Sequence, residues 1–197
     1  CMVVIFICMA TSSWIQSSGG QVAVSKIVLP TQNGQSLAAT LFKPISATSD
    51  TPAPFVAVVP GFQRSREALS NIAIELSRRG FVVVSIDPYG QGSSSSSMST
   101  RSATYEGYGM FALIDYVFET DNLNYVDKSR IGATGHSAGG NAAIRGAAYF
   151  GKEASETDSA LSKLHSVYIS GYVLTLRNSV LRLSLIHISE PTRLSRI

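Results

Sequence analysis

Short apolar runs alternate with amphipathic stretches along this chain, and that rhythm carries most of its structural content. Residues Cys1 to Ala10 (CMVVIFICMA) are apolar without interruption, and a polar stretch, TSSWIQSSGGQ, follows them. Gln21 to Leu29 (QVAVSKIVL) alternates apolar and polar positions, the two-residue period of a half-buried strand. Asn33-Gly34 is a strong turn signal, and Ser36 to Phe42 (SLAATLF) reads as the returning strand of a hairpin. The stretch from Pro44 to Pro54, rich in Pro, Ser, Thr and Ala, reads as a loop.

The pattern then changes. Phe55 to Val59 (FVAVV) is a continuous apolar run that stops at Pro60-Gly61. Glu67 to Arg79 places Leu69, Ile72, Ala73 and Leu76 at helical spacing, with Ser65 as N-cap and Gly80 closing the helix. Phe81 to Ile86 (FVVVSI) is a second buried strand, ending at Asp87-Pro88, and Gly90 to Thr100, with Ser93 to Ser97 in one run, reads as a flexible loop. Tyr105 to Thr120 reads as a helix presenting Tyr108, Phe111, Ala112 and Tyr116 on one side. A short strand at Arg130 to Thr134, a helix at Ala138 to Phe150 and a strand at Ser166 to Ser170 complete the series. Strands alternating with helices of this length predict an α/β fold, a doubly wound and mostly parallel sheet. Helices on both faces would account for strands without polar alternation.

Composition narrows the function classes. Of 197 residues, 45% are hydrophobic and 15% charged, as in an ordinary globular domain, and the net charge is only +3. The basic residues are scattered apart from Arg177, Arg182, Arg193 and Arg196, so nothing supports nucleic-acid binding. The two cysteines, Cys1 and Cys8, both fall in the apolar N-terminal run, which leaves no disulfide framework and no cysteine metal site in the domain. Ten apolar residues are too few to span a bilayer. Residues 1–20 therefore read as part of a membrane anchor or uncleaved signal plus a linker, with Trp14 near the interface. A buried terminal helix or strand is the alternative. The anchor reading makes the protein membrane-anchored or secreted, and extracytoplasmic.

The candidate chemistry centres on Gly135-His136-Ser137-Ala138-Gly139, a G-x-S-x-G pattern placed directly after a predicted strand and opening a predicted helix. A serine on such a corner takes strained backbone angles and presents its hydroxyl. Gly135 and Gly139 let strand and helix approach closely, and Gly140, Ala142, Ala143, Ala147 and Ala148 keep the helix slim. The helix N-terminus would offer the Ala138 N–H to a developing oxyanion. A second donor, the Phe62 N–H, is expected from the loop Pro60-Gly61-Phe62-Gln63. Phe62, Tyr89 and Tyr105 are candidates for lining an apolar acyl or aryl site; for the two tyrosines a surface or core role is equally open.

With these residues in view, the stretch from about Phe55 to Ser170 resembles the α/β-hydrolase superfamily. It is most similar to the esterase branch that includes dienelactone-hydrolase-like and cutinase-like polyester hydrolases. VVPGF (Val58 to Phe62) resembles the Pro-Gly-aromatic loop of the polyester-cleaving group, SIDPYGQG (Ser85 to Gly92) the family's strand-end Asp and Gly-rich turn, and GHSAGG (Gly135 to Gly140) its elbow. Many relatives carry His-Gly where Pro60-Gly61 stands, so this chain departs there from the broad family. The resemblance implies a serine hydrolase acting on small-molecule or polymeric esters through an acyl-enzyme. Ser137 is the nucleophile, Phe62 and Ala138 form the oxyanion hole, and no metal or cofactor is required. A serine peptidase or an acyltransferase of the same fold remains open, as does a non-catalytic, membrane-tethered binding module.

A triad needs a histidine base and an acid to orient it. In the family the order is nucleophile, acid, histidine. His136 adjoins the nucleophile and His165 falls at the far end of a strand. Leu183 to Arg193 (LSLIHISEPTR) resembles translated sequencing-adapter sequence, which removes His187 and Glu190 as candidates. Asp87 precedes the nucleophile and reads as a turn-shaping residue, while Asp115, Asp121 and Asp127 read as solvated charges. The expected organisation is an N-terminal segment (1–20), the N-terminal part of a hydrolase domain (21–182) and an artefactual tail (183–197). Both triad partners are expected to be absent, leaving this stretch with little or no activity of its own.

Overall fold

The computed structural model describes residues 2–31, 34–95, 104–157 and 162–171. Asn33, Ser96 to Thr100, the side chain of Tyr105, the basic residues from Arg177 onward and the adapter-like tail lie outside them. The chain opens with helix α1 (Met2–Gln16), none of whose residues is buried. Strands β1 (Val22–Pro30) and β2 (Ser36–Pro44) follow, paired antiparallel from Val22↔Pro44 to Pro30↔Ser36, the expected hairpin. Next come β3 (Ala53–Val59), helix α2 (Ser70–Arg78), β4 (Val82–Ile86), helix α3 (Met110–Glu119), β5 (Val126–His136), helix α4 (Ala138–Glu156) and β6 (Ser166–Ser170).

The sheet order is β1-β2-β4-β3-β5-β6. Pairings β4–β3, β3–β5 and β5–β6 are parallel, while β1–β2 and β2–β4 are antiparallel. The α/β class and the parallel core stand as expected, with an antiparallel hairpin added at one edge. β3 is the hub. The chain leaves it through α2 to β4 on one side, then returns through α3 to β5 on the other.

Side chains alternate across the central strands, and both resulting faces are apolar. On one face Val58, Val83, Val22 and Phe42 pack around Ala73 of α2. On the other, Phe55, Ala57, Val59, Val84, Ile86 and Ala133 meet Met110, Leu113, Ile114 and Val117 of α3 and Ala143 and Phe150 of α4. Fully burying a side chain of this size contributes roughly 1.5–3 kcal/mol, so the two faces account for much of the driving force. Phe111 joins the two helices of the second face, its ring 4.8 Å from that of Tyr149 and 5.5 Å from that of Phe150.

Two helices begin later than their sequences suggest. Ser65 is extended (φ −94°, ψ 170°) and makes no side-chain cap; a 3-10 turn at Arg66–Leu69 intervenes before α2. The Ser65 hydroxyl is instead spent on Glu67, holding that carboxylate below its usual range. In the second case Gly107, Tyr108 and Gly109 all have positive φ, so the expected helix from Tyr105 is a 3-10 segment that becomes α-helical only at Met110. The buried stripe is therefore Met110, Phe111, Leu113, Ile114 and Val117, with Tyr108, Ala112 and Tyr116 only half-buried.

At the start of β5 the Asp127 carboxylate accepts bonds from the Ser129 hydroxyl (2.6 Å), the Ser129 N–H (2.9 Å) and Arg130 Nε (2.6 Å). These contacts, the Ser129 hydroxyl foremost, lower its pKa from 3.8 to about 2. A lowered folded-state pKa adds stability that is present above the unfolded value and is lost as pH falls through the folded one. Asp127→Asn should therefore be less stable than the parent above about pH 4, with the difference vanishing toward pH 2. Urea unfolding at stepped pH measures this; a difference that stays constant with pH would contradict it.

Candidate active site

β3 and β5 are parallel neighbours, in register up to Val59↔Gly135. The helices that follow them, α2 and α4, lie on opposite faces of the sheet. The loops leaving the two strands therefore diverge and open a crevice at their C-terminal ends, the usual place for a ligand in a doubly wound sheet. One wall is Pro60-Gly61-Phe62-Gln63 after β3. The other is His136-Ser137 after β5.

Ser137 occupies the corner between β5 and α4 with φ 53° and ψ −116°, a region that L residues rarely enter. The turn is that tight because backbone meets backbone. A Cβ on Gly139 would overlap the carbonyl of Val59, and one on Gly135 would overlap the backbone of Gly139. The end of β3, the end of β5 and the first turn of α4 thus form one close-packed unit. Ser137 N–H donates to the Ser170 carbonyl (3.0 Å), tying the corner to β6, and the Ser137 carbonyl accepts the Asn141 N–H (3.0 Å) as α4 begins. The Ser137 side chain is exposed in the crevice.

The β3 loop reaches the same point. An ideal Cβ on Gly61 would lie 3.4 Å from Ser137 Cβ and 3.4 Å from the His136 carbonyl, so the loop rests directly on the corner. Among the described residues no acceptor takes the Phe62 or the Ala138 N–H. The Phe62 ring is 53% exposed and borders a cleft of about 290 Å³ shared with Gln63, Tyr89, Gln91 and Tyr108. Phe62, Tyr89 and Tyr108 border this one cleft, and Tyr89 is itself buried in the core. Gln63 (φ 56°) and Tyr108 (φ 58°) also have positive φ. With Ser137 they are three of the four such non-glycine residues described, and such strain tends to gather where geometry is functionally constrained.

The histidines are engaged elsewhere. His136 Nδ1 lies 3.3 Å from the Ser170 hydroxyl. His165 sits just before β6, at the other end of the sheet, where its Nδ1 accepts the Ile131 N–H (3.2 Å). His187 falls outside the described residues. Asp115 is no solvated charge: it is half-buried and pairs with Lys163 at 2.8 Å. Among the described residues no group of three or more His, Cys, Asp or Glu side chains is placed to hold a metal ion.

Asp87 shapes its turn as read from the sequence, accepting the Ser93 N–H, but sequence reasoning missed its buried partner. Asp87, at the end of β4, is 1% exposed and pairs with Arg66, 9% exposed, at 2.7 Å. A lone arginine just before a helical pattern carries no local sign of burial, and its partner lies 21 residues away.

The family described as PETase, PET hydrolase-like, matches residues 8–160. No curated protein matches the chain. Among solved structures, a hypothetical protein of Pseudomonas aeruginosa aligns with TM-score 0.60 at 23% identity, over 78% of this chain and 44% of its own. A bacterial heroin esterase aligns with TM-score 0.56 at 18% identity, over 81% of this chain and 49% of its own. An esterase from Pyrococcus furiosus aligns with TM-score 0.53 at 20% identity, over 66% and 48%. At these identities the structural likeness establishes the fold, and this chain spans just under half the length of each.

The close-packed corner yields a stability test. Gly139→Ala should destabilise the protein by about 3 kcal/mol or more, because the new methyl meets backbone that cannot yield. Gly151→Ala, in the same helix with open space around it, should stabilise by roughly 0.5–1 kcal/mol. Urea titration of both variants decides; equal effects would mean that the corner relaxes freely.

Proposed function

The chain belongs to the PET hydrolase-like PETase family, and from that premise we propose that the protein it comes from is a serine-dependent hydrolase of carboxylic esters, polymeric esters included. The observation that carries this reading is the corner itself. Ser137 is exposed, strained and pinned between the Gly61 loop and the first turn of α4. A strained serine costs of order 1–3 kcal/mol, which chemistry at that atom would account for.

The reaction follows from the groups around it. Ser137 Oγ attacks the ester carbonyl carbon as a histidine takes its proton. The carbonyl oxygen becomes an oxyanion between the N–H groups of Phe62 and Ala138, aided by the positive end of the α4 dipole. Collapse of the tetrahedral intermediate breaks the ester C–O bond, the alcohol leaves with a proton, and Ser137 holds the acyl group. Water, deprotonated by the same histidine, then releases the acid and regenerates the serine. His136 and His165 are engaged elsewhere, so the histidine and its orienting acid are sought outside the described residues.

Full-length protein should release p-nitrophenol from short p-nitrophenyl esters and soluble acids from a polyester film, and Ser137→Ala should abolish both. Retention of either activity by Ser137→Ala would rule the mechanism out.

The N-terminal helix supports a tethered location. α1 is apolar around its whole circumference over residues 2–10, and none of its residues is buried. It is not long and apolar enough to cross a membrane as it stands. We propose that it belongs to an anchor or uncleaved signal, with Trp14 at the interface and the domain on the extracytoplasmic side. Protein carrying α1 should float with phosphatidylcholine liposomes in a density gradient, and protein lacking residues 2–10 should stay behind. Equal behaviour of the two would remove the tether from the reading.

A further inference from the structure

We propose that the buried Asp87–Arg66 pair is a positioning device that holds the Phe62 N–H at the oxyanion site, an inference that rests on the reading of Ser137 as nucleophile. The loop from Gly61 to Ser65 has no secondary structure of its own beyond one turn, in which the Arg64 N–H bonds the Gly61 carbonyl (3.2 Å). Something else must fix it, because an oxyanion donor is effective only when it is aimed before the charge develops.

Asp87 supplies that fixing point. Its Oδ1 accepts the Arg66 backbone N–H (2.7 Å), and its Oδ2 accepts the Arg66 guanidinium (2.7 Å) and the Ser93 N–H (2.8 Å). One carboxylate therefore holds the end of the Phe62 loop by backbone and side chain together, and the Gly90–Ser95 turn by a third bond. The pair is anchored below as well. Ser85 Oγ donates to the Arg66 carbonyl (2.9 Å), Ser94 Oγ to the Asp87 carbonyl (2.6 Å), and the Asp87 N–H to the Ala38 carbonyl on β2 (2.8 Å). A second strap runs parallel to the first: the Arg64 N–H donates to Gln91 Oε1 (3.1 Å). Gly92 (φ 55°) is obligatory here, since a Cβ would occupy the place of the Asp87 carboxylate.

Geometry passes from the buried charge to the reacting point in few steps. Arg66 is four residues after Phe62, and Gly61 rests on Ser137 at the other end of the loop. With both ends held, the Phe62 peptide has little freedom to turn away. With the Asp87 end released, the loop pivots on Gly61 and the N–H loses its aim, while substrate contacts made by the Phe62 ring are largely kept. The device therefore acts on the transition state more than on substrate binding.

The test uses full-length protein, with active sites titrated by a fluorophosphonate so that misfolded molecules are not counted. Asp87→Asn, which replaces an acceptor oxygen with a donor facing Arg66 or Ser93, should lower kcat on p-nitrophenyl butyrate 10- to 100-fold per titrated site and leave KM within about threefold. Affinity for phenylboronic acid, whose serine adduct is tetrahedral and anionic, should fall by the same factor as kcat/KM. Arg66→Lys keeps the charge but loses the fork and should show a smaller loss of the same kind. Gly92→Ala displaces the carboxylate without touching any charge and serves where Asp87→Asn does not fold. A lowered Tm with kcat per site and boronate affinity unchanged would overturn the proposal and leave the pair with a purely structural role. Absence of any Ser137-dependent turnover in the parent would overturn the nucleophile reading, and this inference with it.

Discussion

Gly139 lies so close to the end of β3 that a single methyl group there would strike the Val59 carbonyl. That contact makes β3, β5 and α4 one rigid body at the C-terminal edge of the sheet. Because α4 cannot retreat, the chain must turn abruptly at Ser137, and because the turn is abrupt the serine projects clear of both elements. Gly61 completes the packing from the other wall. Protein interiors are dense enough that such backbone contacts admit one arrangement only, so precision here is a by-product of packing.

Charge supports that packing where apolar contact cannot. Two loops, after β3 and after β4, run over the edge of the sheet, the second held partly by Tyr89 in the core. Removing one member of a buried ion pair typically costs about 3–5 kcal/mol, since the survivor stays desolvated and unpaired. The Asp87–Arg66 pair therefore couples local geometry to folding: an arrangement that misplaces the loop also strands a charge. Apolar core below and polar clamp above divide the work, the first setting where the strands lie and the second where their loops point.

The fold was legible in the sequence wherever periodicity was strong. FVAVV and FVVVSI have no reading but buried strands, and Asn33-Gly34 between alternating runs gives the hairpin. The GHSAGG corner was legible because its neighbours on both sides declared themselves. Other features were not. Tyr108 has no business at positive φ by intrinsic preference; two flanking glycines and tertiary packing force it, and the helix starts late as a result. Ser65 looked like a cap because cap chemistry is local, yet its hydroxyl went to Glu67. Asp115 reads as solvated, and Arg66 gives no sign of its burial, because burial and pairing are properties of the folded molecule, set by partners 48 and 21 residues away.

Ser137 also bears on how such chains drift under selection. Its φ of 53° and ψ of −116° suit glycine better than any residue with a side chain. A Ser-to-Gly change here would relieve strain and add stability while deleting the hydroxyl. If Ser137 is the nucleophile proposed above, stability and chemistry pull this codon in opposite directions, and use of the hydroxyl is what keeps serine in place. In a lineage that no longer cleaves esters, this would be among the first positions to relax, and glycine there would mark the loss.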